Sequence, residues 1–141
     1  MTSVPEICTA SWRTKLPANI VRIGVSRGVP RSASGYRRYR QLEPGSWFRT
    51  SSATEYVARY RAEILSRLDP HRVVSDLAAL SNGHPVALLC WEEAGDEWCH
   101  RAIIAHWIGQ HTAVDVREFG YEGVGLYHPL LPLGFGDMIA R

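Results

Sequence analysis

Pro85-Val86-Ala87-Leu88-Leu89-Cys90 is an unbroken apolar run of strand length, bounded by Asn82-Gly83 before it and Glu92-Glu93 after it. A strand with one face in water alternates apolar and polar side chains, whereas one that stays apolar throughout is the pattern of a strand covered by helices on both faces. Such a strand belongs at the centre of a parallel sheet, and parallel neighbours need crossover connections that are right-handed and usually helical. This run therefore directs the chain towards an α/β fold: a mainly parallel sheet flanked by helices, three-layered and Rossmann-like.

The remaining segments supply the other elements. Residues 6–12 and 20–25 read as short strands, joined by a connection that Pro17 breaks. Ser26-Arg27-Gly28-Val29-Pro30-Arg31 leaves the second strand as a loop able to bring backbone amides close to a ligand. Ser52, three residues before Glu55, has capping-box spacing and opens a helix to about residue 68, with Val57, Tyr60, Ile64 and Leu68 on one face. Asp69-Pro70 starts a second helix with the stripe Val73, Val74, Leu77 and Leu80, ended by Asn82-Gly83. Asp96 is placed to cap a third helix from about Glu97, with Ile103, Ile104, Trp107 and Ile108 inward and Gly109 weakening its end. Residues 113–119 read as a further strand. From Gly120 the chain is rich in Gly, Pro and Leu without a period, and is expected to pack as irregular structure.

Composition limits the classes to consider. With 141 residues, 45% hydrophobic and 21% charged, the chain suits one domain, 1–141, with a core over about 6–118 and an irregular tail over 119–141. Three cysteines are too few for a disulfide framework and no secretory signal pattern opens the chain, so a reduced, cytoplasmic setting is expected. No apolar run approaches the roughly 18 residues of a membrane span, so no membrane association is expected. The net charge of +2 conceals an asymmetry: residues 1–40 carry eight basic residues, Arg27 and Arg31 among them, against Glu6 alone. Guanidinium forks suit phosphate and carboxylate, which makes an anionic small molecule or a nucleic acid the candidate partner.

In open parallel sheets ligands bind beyond the carboxyl ends of the strands. Cys90 occupies such an end, and Trp98, Cys99 and His100 fall in the first turn of the next helix, where free amides and the helix dipole favour an anion. Arg101 adds charge, and a thiol in that setting is activated. Glu92 is the candidate proton carrier or hydrogen-bond acceptor. The candidate catalytic residues are thus Glu92, Cys99 and His100, with Cys90 as a weaker one, and the candidate ligand contacts are Ser26, Arg27, Arg31, Trp91 and Arg101. Each has a plainer reading: Cys90 as core, His100 as packing, Arg101 paired with Glu97, and the acidic loop as a solvated face. Cys90, Cys99 and His100 are also of zinc-ligand type. Eight residues separate the two cysteines, however, and adjacent Cys99 and His100 project about 100° apart on a helix, unlike a zinc knuckle. His84 or His106 would have to complete such a site. The expectation is no metal and no cofactor, since Walker and dinucleotide glycine signatures are also missing.

Ile23-Gly24-Val25-Ser26-Arg27-Gly28-Val29-Pro30, Glu55-Tyr56 with Tyr60, and Leu88-Leu89-Cys90-Trp91-Glu92 leading to Cys99-His100-Arg101 together resemble the bacterial domain-of-unknown-function family DUF488. The likeness runs over about 6–118. It implies a compact α/β domain and gives weight to Cys90, Glu92, Cys99, His100 and Arg101, while assigning no reaction. Three functions stay open: binding of a phosphate-bearing ligand, with Arg27, Arg31 and Arg101 on phosphate; cysteine-dependent transfer of sulfur or phosphoryl, against which Glu92 and Glu93 count by raising a thiol pKa; and a non-catalytic interaction module.

Overall fold

The computed structural model describes residues 4–93 and 97–140. Five parallel strands form one sheet in the order β3-β2-β4-β1-β5: β1 (Ile7–Ser11), β2 (Val21–Gly24), β3 (Tyr36–Arg38), β4 (Val86–Cys90) and β5 (Arg117–Glu118). Every pairing is parallel, with Ile7 beside Val86 and Ser11 beside Cys90 along β1 and β4. The apolar run is the middle strand, and all five of its residues are buried.

The helices are α1 (Ala53–Arg59), α2 (Pro70–Ser81), α3 (His100–His111) and α4 (Phe135–Ile139). Ser52 caps α1 by accepting from the Glu55 amide at 3.2 Å, and Asp69 caps α2 by accepting from the His71 amide at 3.0 Å, with Pro70 in the first turn. Asn82 ends α2 in the left-handed conformation at φ 53°. After α1 the helix widens into a π-type turn, Tyr60–Ile64, before a 3-10 turn, Leu65–Arg67.

Strand order decides which face the helices cover. From β3 to β4, and again from β4 to β5, the chain steps two places in the same direction across the sheet, so right-handed crossovers put both sets of helices on one side. Ile7, Ile23, Val25, Val86 and Leu88 accordingly share one core with Tyr56, Val57 and Tyr60, Val73 and Leu77, Ile104 and Ile108, and Phe135. The other face, Ala10, Ala87 and Leu89, is covered by Trp12, Leu16, Ile20, Val29 and Ala33 from the connections after β1 and β2. The middle strand is thus covered on both sides, with irregular chain where the apolar run predicted helices.

Three other local readings shift. Tyr36–Arg38, a basic and aromatic segment assigned to no element from its sequence, is edge strand β3. The strand expected over 113–119 shrinks to two residues, Arg117–Glu118. Helix α3 begins at His100 and not near Glu97, because Cys99 is its extended N-cap residue at φ −148°, ψ 146°. Asp96, expected to cap it, lies outside the described residues.

Candidate functional site

Cys90 is the last residue of β4 and faces the helix side of the sheet, as strand alternation from Val86 and Leu88 requires. Its Sγ lies 3.3 Å from His100 Nδ1. His100 Nε2 stands 2.8 Å from the Val25 carbonyl, which only accepts, so Nε2 carries a proton and Nδ1 is the nitrogen turned to sulfur. Cys99 Sγ lies 4.0 Å from the same Nδ1. The two sulfurs and a ring nitrogen all fall within 4.8 Å of one another, and all three residues are buried. The aromatic rings of Tyr56 and Tyr60 hold the imidazole from the side, at 6.3 and 5.6 Å between centres. Tyr60, fully buried, is fixed by donating its hydroxyl to the Leu42 carbonyl at 2.6 Å.

Behind Cys99 runs a buried polar chain. Arg101, with no exposed surface, donates from Nη1 to Cys99 Sγ at 3.4 Å. Its Nε and Nη2 meet both oxygens of Glu118 at 2.9 and 2.7 Å, a bidentate pair. Glu118 Oε1 accepts from Thr9 Oγ1 at 2.8 Å, and Thr9 Oγ1 lies 2.7 Å from His128 Nε2. The Leu130 amide donates to His128 Nδ1 at 3.1 Å, so the His128 proton sits on Nε2 and is directed at Thr9. The Cys99 amide is itself taken by the Leu130 carbonyl at 3.0 Å, and so is not free for an anion.

These neighbours set the ionisation. Burial alone raises the Cys99 thiol, but hydrogen bonds from Cys90 and His100 and the charges of His100 and Arg101 outweigh it and hold Cys99 well below the usual thiol range. Burial, the hydrogen bond to Cys99 and its negative charge push Cys90 well above that range. The sulfur pair therefore shares one negative charge, centred on Cys99. Glu92 is pushed up to about 7, by burial first and by Cys99 next. Cys8, on the other face of β1, is raised to about 12 by burial and the Glu118 charge and stays a packing thiol.

The cluster forms the floor of a cleft of about 460 Å³. One side is the loop after β2, with Ser26, Arg27 and Gly28; the other is Trp91 and Glu92 with Glu97 and Trp98; and Pro44, Phe48, Arg49 and Tyr56 close it. Arg27 and Arg49 both lie over the Phe48 ring, at 5.6 and 5.2 Å from its centre. Trp91 Nε1 donates across the cleft to the Gly28 carbonyl at 3.1 Å, and Trp98 meets Tyr56 edge-on at 4.7 Å.

Of the residues singled out in the sequence, Cys90, Glu92, Cys99, His100, Ser26, Arg27 and Trp91 line this cleft. Arg31 is exposed and outside its lining. Arg101 is turned inward onto Glu118, so its partner is neither a ligand nor Glu97. His84 is exposed at the opposite end of β4, and His106 packs on Phe135 at 5.1 Å; neither approaches the cysteines. Tyr56 in the cleft entered the sequence reading only through the family resemblance, and Arg49 and Phe48 beside it, with Thr9, Glu118 and His128 behind it, carry no sequence signal of their own.

Fold and site together define a parallel α/β protein with a buried Cys-Cys-His centre at the carboxyl ends of its strands. The model of the DUF488-N3a family, described as the active DUF488-N3 subclade, matches residues 7–112, about three-quarters of the chain. The chain belongs to that family. No curated protein and no solved structure matches it significantly.

Proposed function

We propose that the cleft binds a phosphate-bearing ligand with a flat ring, a nucleotide or the end of a nucleic-acid strand, and presents it to the Cys-His floor. The observation that carries this reading is the convergence in one cleft of Arg27 and Arg49, both seated on Phe48, with the aromatic walls Trp91, Trp98 and Tyr56. Two guanidiniums at a mouth suit phosphate, and aromatic faces suit a base. Glu92 offers an acceptor for a sugar hydroxyl or an amino group. Arg31 and Arg101 take no part in this version of the site.

The test is calorimetric titration of the full chain with nucleoside monophosphates and with a short single-stranded oligonucleotide. Saturable binding is expected, weakened about tenfold or more by Arg27→Ala and by Arg49→Ala, the loss of one charge-assisted contact each. Binding of either probe that ignores both substitutions, or no binding at all, overturns the reading. A second reading, group transfer by a cysteine nucleophile, is favoured by the Arg101 contact to Cys99 Sγ. If iodoacetamide labels neither Cys90 nor Cys99 in folded, chelator-treated protein, that reading fails.

A further inference from the structure

We propose that Cys90 Sγ, Cys99 Sγ and His100 Nδ1 bind a thiophilic divalent ion, zinc by ligand preference, with its fourth position open to the cleft. Zinc bonds sulfur at about 2.3 Å and nitrogen at about 2.0–2.1 Å, so the donors of a tetrahedral site stand about 3.5–3.8 Å apart. The two sulfur-to-Nδ1 separations here are 3.3 and 4.0 Å, on either side of that edge length. All three donors lie within 4.8 Å of one another.

The spacing objection disappears in the fold. Two helical neighbours diverge, but Cys99 is the extended residue before α3, and its backbone turns Sγ back towards the His100 ring. Cys90 reaches the same point from the end of β4, so the three donors come from a strand end and a helix start.

The surroundings also match those of a metal ligand set. A ligating histidine typically donates its other ring N–H to a carbonyl, which fixes the ring, and His100 Nε2 does so to Val25 at 2.8 Å. Arg101 Nη1 donates to Cys99 Sγ, as outer-shell donors do to metal-bound thiolates. Charge balances as well: two thiolates and a neutral imidazole cancel a divalent ion, and Arg101 is neutralised separately by Glu118. Three protein ligands and one open position is the pattern of reactive rather than structural zinc sites. Glu92 lines the same cleft as the three donors. The inference does not depend on the ligand reading above.

Reduced, chelator-treated full-length protein is titrated with cobalt(II), then with zinc(II). One equivalent of cobalt is expected to give the visible bands of a tetrahedral ion and a thiolate charge-transfer band in the near ultraviolet, both abolished by zinc. Cys99→Ser and His100→Gln are expected to weaken cobalt binding at least about a hundredfold, whereas Cys8→Ser leaves it unchanged. Zinc is expected to shield two of the three thiols from a thiol reagent. Wild-type protein that develops no thiolate-to-cobalt band, or whose three thiols react equally with and without zinc, overturns the proposal even if the variants fail to fold. Nucleotide binding retained in a protein that takes up no cobalt removes the metal site alone.

Discussion

Arg101 has no exposed surface and every part of its guanidinium occupied, Nε and Nη2 by Glu118 and Nη1 by Cys99. Removing one partner of such a pair leaves an uncompensated charge in the interior. Glu118→Gln is therefore expected to lower unfolding stability by about 3–5 kcal/mol, read as a shift of the denaturant midpoint at constant slope. His128, at the far end of the same chain, gives a pH signature. Burial first, and the Arg101 charge next, lower its pKa from 6.5 to about 4, with Glu118 already committed to Arg101. Above 6.5 the ring is neutral in folded and unfolded chain alike. As pH falls from 6.5 towards 4 the unfolded chain binds a proton that the folded one refuses, so stability falls across that window, by up to about 3 kcal/mol, and levels off below it. Denaturation of wild type and His128→Gln at stepped pH checks this: the variant is expected to show a shallower decline.

At the scale of elements, β2 and the connection after β1 meet at Gly24. A Cβ there would lie 2.7 Å from the Trp12 ring, which is buried and donates from Nε1 to Ser26 Oγ at 3.0 Å. Gly24→Ala is expected to force the indole off the sheet and to destabilise by about 1–3 kcal/mol, with Trp12 fluorescence shifted to the red. Ser52→Ala, which removes the α1 cap, is expected to be milder, about 1 kcal/mol by thermal unfolding. The elements themselves were legible where the signal is local. Caps Ser52 and Asp69, the terminator Asn82 and the apolar period of α2 act within a turn or two of chain. Strand β3 was missed because Tyr36–Arg38 is a polar edge of three residues without alternation. The start of α3 was misplaced because Cys99 is held extended by the Leu130 carbonyl, thirty-one positions away in the chain.

In the whole molecule, strand order puts α1, α2 and α3 on one sheet face, and the Cys-Cys-His floor lies under a cleft whose mouth carries Arg27 and Arg49. Both arginines are exposed, so Arg27→Ala and Arg49→Ala are expected to weaken nucleotide binding while changing unfolding stability by less than about 0.5 kcal/mol. A large loss of stability in either would place it in the framework and not at the mouth. The sequence by itself determined the α/β class, the central position of Val86–Cys90 and the gathering of Cys90, Glu92, Cys99 and His100 near the strand ends, since each follows from hydrophobic period, capping chemistry or short separation along the chain. Only the tertiary structure decided that Arg101 turns inward while Arg49 faces the cleft, and that Thr9, Glu118 and His128 stand behind Cys99. Those partners lie 109 and 119 residues from Thr9, and no local pattern records which buried polar groups a fold will bring face to face.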